Sequence, residues 1–291
     1  MRKKLRRILW AAAALVLALT GGLYAADELL PRRALTEDTA AHFIDVGQGD
    51  ASLLLSGGQA VLIDAGTEES GGTVVRYLED LGVTELYAVV ATHPHADHIG
   101  GMAQVIEAFP IEHFYLGPET QNTAIYSNML DALEQAGVQP TIPADGDELV
   151  FDSGASLTFL GPADDVSDAN LNNRSLITLF RAGDQDILFM GDAESPAEQS
   201  LLAHHPLLTC DVLKVGHHGA ATSSSEEFLR AVQPSVAVIS CGVDNDYGHP
   251  SDQTLQNLSL AGVDDVRITA QSGTVVLPLN PPSPSSKENA A

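Results

Sequence analysis

Four side chains that can ligate a metal ion lie within the six-residue segment HPHADH. They are His93, His95, Asp97 and His98, and they follow the apolar run ELYAVVAT. Two histidines separated by one residue on an extended chain can point to the same ion, and the adjacent Asp97 and His98 can serve a second ion or orient a water. Imidazole and carboxylate groups together suit zinc, manganese or iron. The segment therefore predicts a metal site, since packing alone rarely calls for four such groups at a strand end.

Similar side chains follow three later apolar runs. Asp192 follows ILFMG, the pair His217 and His218 follows VLKVG, and His249 lies in the loop after AVISCG. Open α/β proteins place their active sites beyond the carboxyl ends of strands. We therefore expect these groups to meet HPHADH in a centre for two metal ions, with Asp192 placed to bridge them.

The roles of the later histidines stay partly open. Side chains of adjacent residues diverge, so one of His217 and His218 is expected to bind metal and the other to face the substrate. The sequence does not fix which; our working assignment takes His217 as the ligand and His218 as catalytic. His249 is expected to hold the substrate or protonate a leaving group, or else to be an ordinary loop histidine. Asp97 is also expected to hold the attacking water by hydrogen bonding.

The signature HxHxDH resembles that of the metallo-β-lactamase superfamily. The phrases FIDVGQGDASLL, NNRSLITLF, LFMGDAE, DVLKVGHHGA and YGHPS further resemble the hydrolase domain of the competence protein ComEC and its stand-alone relatives. The resemblance covers nearly all of residues 41–280 and implies an αββα sandwich with a dinuclear site at one edge. It implies that His93 and His95 bind one ion. It also implies that Asp97 and His98 bind the other, with Asp192 as the bridge.

Three more residues are expected to support the ligands. Asp64 in LIDAG matches the first motif of the superfamily, a carboxylate that orients a ligand. Asp50 in GQGD lies on a turn that is expected near the site, or else it caps a strand. Many relatives have a further histidine where this chain has LNNRS, residues 171–175, so the first ion is expected to have an open shell. Asn173 there either contacts a bound water or phosphate or belongs to a turn with no ligand role.

The apolar runs predict a mixed α/β architecture. Strands are expected in HFIDVG, ASLLLS, AVLIDAG and ELYAVVAT and near residues 156–160, 175–181, 186–190, 211–215, 235–240 and 273–279. Helices are expected over 74–81 and near 101–109, 122–136, 195–204, 224–232 and 252–261. Gly100 and Gly101 are expected to form the turn by which the chain leaves the site. One hydrolase domain is thus expected over 41–280, after a stalk at 27–40 and before a Pro/Ser-rich, disordered tail at 281–291.

The first 26 residues resemble an export segment. Basic residues at 2–7 precede an apolar run of roughly 19 residues, close to the ~20 that span a bilayer. A signal anchor and a cleaved signal peptide both fit this pattern. The positive-inside rule places the rest of the chain outside the cytoplasm. The expectation is an extracytoplasmic protein, secreted or held in the membrane by one segment, so the channel role of a polytopic relative does not carry over.

The chain is strongly acidic, with 39 Asp and Glu against 14 Lys and Arg and a net charge of −25. Such a surface repels polyanions at long range, so no broad nucleic-acid-binding surface is expected. Keeping an exported protein soluble is the simpler reason for the charge. Cys210 and Cys241 are expected either to pair, if their strands are neighbours in an oxidising compartment, or to remain buried thiols.

These features predict a hydrolase in which a water activated by two metal ions, zinc or manganese, attacks the substrate. A phosphodiester fits best, because two ions can neutralise its non-bridging oxygens. Single-stranded DNA is one such substrate, and no obligate protein partner is indicated. The alternatives are an extracellular hydrolase of small or wall-linked phosphoesters, a lactone or β-lactam hydrolase, and a metal-binding module without turnover.

Overall fold

Two seven-stranded sheets pack face to face in the computed structural model, which describes residues 38–162, 166 and 170–280. The strands of the first sheet, in spatial order, are β14 (Val275–Leu279), β1 (Thr39–Phe43), β2 (Ser52–Ser56), β3 (Gln59–Ile63), β4 (Leu86–Ala91), β5 (Ile111–Leu116) and β6 (Pro140–Thr141). The strands of the second sheet are β13 (Asp265–Ile268), β12 (Val236–Ile239), β11 (Val212–Lys214), β10 (Gln185–Phe189), β9 (Ile177–Ala182), β8 (Ser156–Gly161) and β7 (Glu148–Val150).

Each sheet is parallel on one side and antiparallel on the other. In the first sheet, β3 to β6 are parallel, whereas β14, β1, β2 and β3 pair in antiparallel fashion. In the second sheet, β10 to β13 are parallel and β7 to β10 are antiparallel. Parallel strands need cover on both faces. This explains why a strand such as β4 reads as a nearly continuous apolar run, LYAVVA.

Helices cover the outer faces of the sheets. They are α1 (Gly71–Asp80), α2 (Ala96–Ile99), α3 (Met102–Ala108), α4 (Ala124–Ala136), α5 (Ser195–His204), α6 (Glu226–Val232), α7 (Asp252–Leu260) and α8 (Thr269–Ser272). Two 3₁₀ turns, Leu171–Arg174 and Gly216–Gly219, lie beside the site. Local chemistry sets several helix ends. The hydroxyl oxygens of Thr123, Ser225 and Ser251 each accept a hydrogen bond from the backbone N–H three residues later, which satisfies a donor that the first turn leaves free.

Three layers of buried apolar side chains hold the sheets and helices together. The first lies between the β14–β6 sheet and helices α1, α3 and α4, and includes Val74 and Met102. The second lies between the two sheets, where Phe43 and Phe189 stack with ring centroids 5.8 Å apart. The third lies between the β13–β7 sheet and helices α5 to α7, and includes Leu229. The order helix, sheet, sheet, helix is the αββα sandwich that the sequence predicts, and it is confirmed.

The strand ends that carry the site share one edge of the sandwich. Strands β10, β11 and β12 are parallel neighbours, so their carboxyl ends lie together. Thr92, the residue after β4 in the other sheet, accepts a hydrogen bond at its carbonyl oxygen from the N–H of Leu176 at 2.9 Å. This bond joins the two sheets beside the site.

The segment after HPHADH differs from the sequence prediction. The helix expected near 101–109 is confirmed as α3. A short helix that was not predicted, α2, precedes it, and the glycines between the two helices are helical rather than a turn. Gly100 has φ −59° and ψ −40°. A Cβ on Gly101 would collide with the carbonyl oxygen of Ala65. These glycines are therefore explained by close approach of the backbone at residues 65–71, and not by the need for a positive φ.

Several strands also differ from prediction, because sequence hydropathy locates them poorly. The first run, HFIDVG, is strand only to Phe43, since Asp45 accepts the N–H of Gly47 in a local turn. Strands β6, β7 and β13 were not predicted, and neither was β5, IEHFYL. Its outward residues Glu112 and His113 interrupt the apolar pattern, although Phe114 beside them is buried.

Cys210 and Cys241 are both buried free thiols. Cys210 lies two residues before β11, whereas Cys241 lies two residues after β12. These strands are parallel neighbours, so the two cysteines lie at opposite ends of them. The second of the two expectations, separate buried thiols, describes the structure.

The proposed export segment, residues 1–26, and the stalk lie outside the described residues, apart from Asp38 to Ala40. The tail at 281–291 is outside them too. Within the part of the chain that the structure describes, none of the helices has the length and apolar character needed to cross a membrane.

Candidate metal centre

Asp192 lies at the centre of the site, three residues after the end of β10. Its Oδ1 atom lies 3.1 Å from His98 Nε2 and 3.6 Å from His218 Nε2. Its Oδ2 atom lies 3.6 Å from His93 Nε2 and 3.8 Å from His217 Nε2. The carboxylate is buried, and each oxygen faces a different pair of imidazoles. Such a carboxylate is placed to bridge two ions.

The first group of potential ligands consists of His93, His95 and Asp192, whose ligand atoms all lie within 4.8 Å of one another. His93 Nε2 is 3.0 Å from His95 Nδ1. The chain stays extended after β4, with φ −74° and ψ 149° at His95, so alternate side chains point the same way. The structure thus brings the two rings together as the HxH spacing predicts.

The second group consists of Asp50, His98, Asp192 and His218, again within 4.8 Å of one another. Helix α2 begins at Ala96, so Asp97 and His98 both lie in its first turn. The His98 side chain is buried, whereas Asp97 keeps 32% of its side chain exposed. Asp97 Oδ2 lies 3.1 Å from His218 Nε2. The turn therefore directs one side chain toward Asp192 and the other toward the cleft.

Asp64 fixes the orientation of the ligands. Its Oδ2 atom lies 2.7 Å from His98 Nδ1, so that the opposite ring nitrogen points to Asp192. Thr92 donates to the same carboxylate from its hydroxyl at 2.7 Å and from its backbone N–H at 2.9 Å. The Thr92 hydroxyl also lies 3.1 Å from His93 Nδ1. Carboxylates in this position set the tautomer and direction of metal-binding histidines, which is the role expected for Asp64.

His217 and His218 both have left-handed backbone angles, with φ 46° and 54°. This conformation is uncommon for residues other than glycine, and strain of this kind collects at functional sites. It separates the two rings, whose planes are inclined at 59°. His218 is 1% exposed and lies in the second ligand group. The geometry therefore favours His218 as a ligand, the reverse of the working assignment.

His217 faces the other oxygen of Asp192 and is held by Glu194, a residue that sequence reasoning missed. His217 Nδ1 lies 2.9 Å from Glu194 Oε1, and Asn172 Nδ2 donates to the same oxygen at 3.1 Å. Asn173, which the sequence singled out, points elsewhere: its Oδ1 accepts the backbone N–H of Glu194 at 3.0 Å. Asn172, and not Asn173, lines the cleft. The sequence feature that could have indicated Glu194 is its position two residues after Asp192 in the segment GDAE.

Asp50 is buried beside the second ligand group and pairs with Lys214, another residue that the sequence analysis did not name. Lys214 Nζ donates to Asp50 Oδ2 at 2.8 Å and to the carbonyl oxygen of Val215 at 3.1 Å. The backbone N–H of Asp50 donates to the carbonyl oxygen of Asp97 at 3.0 Å. Asp50 therefore reaches the site as expected. It is more than a strand cap, because its side chain carries a buried charge.

His249 lies at the mouth of the centre. Its ring centroid is 5.5 Å from that of His217 and 6.2 Å from that of His218. Burial lowers the pKa of His249, and the charges of His218 and His217 lower it further. Its Nδ1 atom is buried without a hydrogen-bond partner. The ring lines a cleft of about 390 Å³ that also contains Asp97 and Asp192, which fits the expected contact with substrate.

The donor set fits metal ions. His98 Nε2 and Asp192 Oδ1 are buried, and neither makes a well-formed hydrogen bond to protein. Burial lowers the pKa of His93 well below its usual value, and the charge of His98 adds to this effect. Burial alone would raise the pKa of Asp192, but the charges of His98 and His218 hold it well below its usual range. Zinc and manganese bind an ionised carboxylate and neutral imidazoles, so an ion bound here would displace the protons of His98 and His218, whose pKa values are raised.

A family model described as the metallo-beta-lactamase superfamily matches residues 44–243. The protein belongs to this superfamily, because the match covers more than half of the chain and because the αββα fold and the histidine-aspartate centre agree with it. The sandwich also resembles the solved structure of Igni18, described as a novel metallo hydrolase from the hyperthermophilic archaeon Ignicoccus hospitalis KIN4/I. The TM-score is 0.55 at 18% identity, covering 83% of this chain and 100% of that one.

Relatives among competence proteins confirm the resemblance to the ComEC group. ComE operon protein 3 of Bacillus subtilis (strain 168) is 30% identical over 260 residues, which are 83% of this chain and 33% of that protein. Competence protein ComA of Neisseria gonorrhoeae is 31% identical over 236 residues, which are 79% of this chain and 31% of that protein. The chain thus spans about a third of the length of these two relatives.

Proposed function

We propose that this metallo-hydrolase cleaves phosphodiesters with two divalent ions, zinc or manganese. The observation that carries the proposal is the position of Asp192, whose two carboxylate oxygens face two different sets of histidines. Two ions held this way lower the pKa of a coordinated water and neutralise negative charge on the attacked group.

The protein side chains divide the work by position. His93 and His95 would hold the first ion, and His98 and His218 would hold the second, with Asp192 available to both. Asp97 has a partly exposed carboxylate in the cleft and accepts a hydrogen bond from the attacking water. Hydrogen bonding to His218 and the charge of His98 outweigh the effect of burial and hold the pKa of Asp97 far below the usual range. It is therefore ionised and able to accept that bond at any working pH.

The two histidines at the cleft contact the substrate in this proposal. His217 is partly exposed, with 25% of its side chain accessible, and Glu194 fixes its direction. His249 lines the same cleft. Its lowered pKa leaves the ring neutral near pH 7, so it can donate or accept a hydrogen bond at the leaving group without adding charge.

Similarity to proteins named for competence supports a nucleic-acid phosphodiester such as single-stranded DNA. A second candidate, a small or wall-linked phosphoester, is favoured by the cleft itself. Among the described residues, those that line the cleft include neither Lys nor Arg, whereas a groove that binds a long single strand is positively charged. Lactone and β-lactam hydrolysis are weaker candidates, because the sequence motifs shared with ComEC favour a phosphodiester substrate.

We also propose that residues 1–26 export the chain and either anchor it or are cleaved. The support is the basic start and apolar run of the sequence. Fractionation of cells that express the protein, followed by determination of its amino terminus, tests this part.

The activity is tested with purified full-length protein loaded with zinc or manganese. The substrates are single-stranded DNA, bis-p-nitrophenyl phosphate and the β-lactam nitrocefin, each with and without EDTA. We expect EDTA-sensitive cleavage of the phosphodiesters and loss of that cleavage in His95→Ala and Asp192→Ala. His113→Ala, which changes a partly exposed histidine on β5, serves as the control and keeps activity. Cleavage that survives in both site variants removes the two-metal assignment, and metal-loaded protein that cleaves neither phosphodiester removes the proposed function.

A further inference from the structure

Three rings form a ladder from the metal centre to the surface of the protein. The rings of His218 and His249 are inclined at 27°, with centroids 6.2 Å apart. The rings of His249 and Tyr247 are inclined at 23°, with centroids 5.6 Å apart. His218 is 1% exposed, whereas Tyr247 is 71% exposed. A ring that is stacked on one side and exposed to this extent has its other face open to solvent.

The loop that carries Tyr247 is fixed before any ligand binds. Asn245 Nδ2 donates to the carbonyl oxygens of Gly242 at 3.0 Å and His249 at 2.6 Å. Asn245 Oδ1 accepts the backbone N–H groups of Tyr247 at 3.2 Å and His249 at 2.9 Å. Gln48 Oε1 accepts the N–H of Gly242 at 3.1 Å and so ties the loop to the turn after β1. A preformed loop loses little freedom on binding, which favours its use as a binding surface.

The cleft beside the ladder combines aromatic and neutral polar groups. Tyr247 and His249 supply ring faces, while Gln48, Gln121 and Thr123 supply amide and hydroxyl groups. Its volume of about 390 Å³ lies within the range of small-molecule sites. Ring faces and neutral hydrogen-bonding groups suit a planar, uncharged heterocycle. Ions held at Asp192 would bind a phosphate, and a nucleotide joins a phosphate to a heterocyclic base through one sugar.

We propose that Tyr247, backed by His249, is a stacking platform for the nucleobase next to the phosphate held at the metal centre. The proposal rests on the proposed function and names its substrate class: a nucleotide-containing phosphodiester, and not a phosphoester that lacks bases. Stacking on an aromatic side chain accepts any base, because every base has a π face. A cleft whose described lining includes neither Lys nor Arg binds only the nucleotides beside the cleaved bond, so the predicted substrate is a strand end or a short oligonucleotide.

The test compares two ligands that differ in the base alone. Isothermal titration calorimetry on the full-length, metal-loaded protein gives Kd for adenosine 5′-monophosphate and for ribose 5-phosphate. We expect the nucleotide to bind about ten-fold more tightly or better, the gain that one stacked base supplies. Tyr247→Ala reduces this ratio toward one, and Tyr247→Phe retains it, because phenylalanine keeps the ring face.

The control variant is Val243→Ala. Val243 lies on the same loop and is also 71% exposed, but it has no ring, so the ratio stays at the native value. Metal content measured on each variant shows that the centre is intact. Equal affinity of the native protein for the two ligands overturns the proposal, as does a Tyr247→Ala variant that weakens both ligands alike. Neither result depends on turnover, so failure of this proposal is distinct from failure to cleave phosphodiesters.

Discussion

Lys214 Nζ lies 2.8 Å from Asp50 Oδ2, and both side chains are buried beside the metal centre. The pair connects the turn after β1 to the end of β11, at positions 164 residues apart in the chain. The other oxygen, Asp50 Oδ1, is buried without a hydrogen-bond partner. Lys214 therefore neutralises a carboxylate that otherwise adds to the negative charge at Asp192.

Replacing Lys214 by methionine leaves the buried charge of Asp50 without its partner. Loss of one member of a buried ion pair is strongly destabilising, so we expect the free energy of unfolding to fall by about 3–5 kcal/mol. Urea titration of Lys214→Met against native protein measures this change. The double variant Asp50→Asn with Lys214→Met recovers part of the loss, because it carries no unpaired buried charge.

A solvent-exposed ion pair provides the matched control for Lys214→Met. Arg181 and Asp186 lie 3.2 Å apart with side chains 54% and 27% exposed, and a pair of this kind contributes about 0–1 kcal/mol. Arg181→Met is therefore expected to change stability little. If Lys214→Met is as mild as Arg181→Met, the buried pair does not have the energetic role described above.

Glu194→Gln tests the orientation of His217. A glutamine keeps the size of Glu194 but loses the charge that receives His217 Nδ1 and Asn172 Nδ2. Changes to groups that orient metal-site histidines typically cost 10–100-fold in metal affinity or activity, so we expect kcat/KM for bis-p-nitrophenyl phosphate to fall by about that factor. Glu227→Gln, at an exposed position on α6, is the control. A Glu194→Gln enzyme with native kcat/KM and native metal content contradicts the role.

The clustering of the candidate ligands was predictable because their spacing is local. His93, His95 and His98 follow one strand, and the HxHxDH pattern alone indicates their convergence. The strand-end rule also located Asp192, since parallel strands place their carboxyl ends at one edge. The αββα architecture followed from the resemblance, and the three core layers confirm it.

The partners of these residues were harder to predict, because they come from distant parts of the chain. Lys214 lies in an apolar strand, and nothing in the sequence nearby indicates a partner for its charge. That partner, Asp50, is 164 residues away in the chain. The direction of His217 and His218 depends on two consecutive positive φ values, a conformation that only a few per cent of residues other than glycine adopt. Which of Asn172 and Asn173 faces the cleft depends on how the side chains are directed by a single 3₁₀ turn. Side-chain direction in such a turn is a property of tertiary structure.

Asp64→Asn tests the carboxylate that orients His98. Asn tolerates the positive φ of 58° at this position, so the backbone is preserved. The amide nitrogen cannot accept a hydrogen bond. In the place of Oδ2 it loses the bonds from His98 Nδ1 and the Thr92 hydroxyl, and in the place of Oδ1 it loses the bond from the Thr92 backbone N–H. We expect metal affinity to fall about 10–100-fold, measured by competition with a chromogenic chelator. Asp244→Asn, at an exposed residue with φ 51°, is the control, and equal affinity in the two variants rules out the orienting role.

The metal-free site holds protons that an ion must displace. Burial opposes charge on His98, but Asp192 and Asp64 outweigh it and raise the pKa of His98 well above 6.5. The pKa of His218 is raised above 6.5 in the same way, since the charge of Asp192 and the hydrogen bond to Asp97 outweigh burial. Both histidines have a higher pKa in the folded state than in the unfolded state. The stability that their protonation contributes is therefore complete below pH 6.5. It is lost as the pH rises through the folded-state values.

Raising the pH is therefore expected to strengthen metal binding and to destabilise the metal-free protein. Ligand nitrogens must be unprotonated, so we expect Kd for zinc or manganese to fall as the pH rises from 6 to 8, with release of protons. Over the same range the Tm of metal-free protein falls relative to that of metal-loaded protein. Titration calorimetry in buffers of different ionisation enthalpy counts the protons. His98→Gln releases fewer protons than native protein, whereas His113→Gln, on β5, releases the native number. A Kd that does not change with pH, together with no proton release, is incompatible with protonated imidazoles beside Asp192.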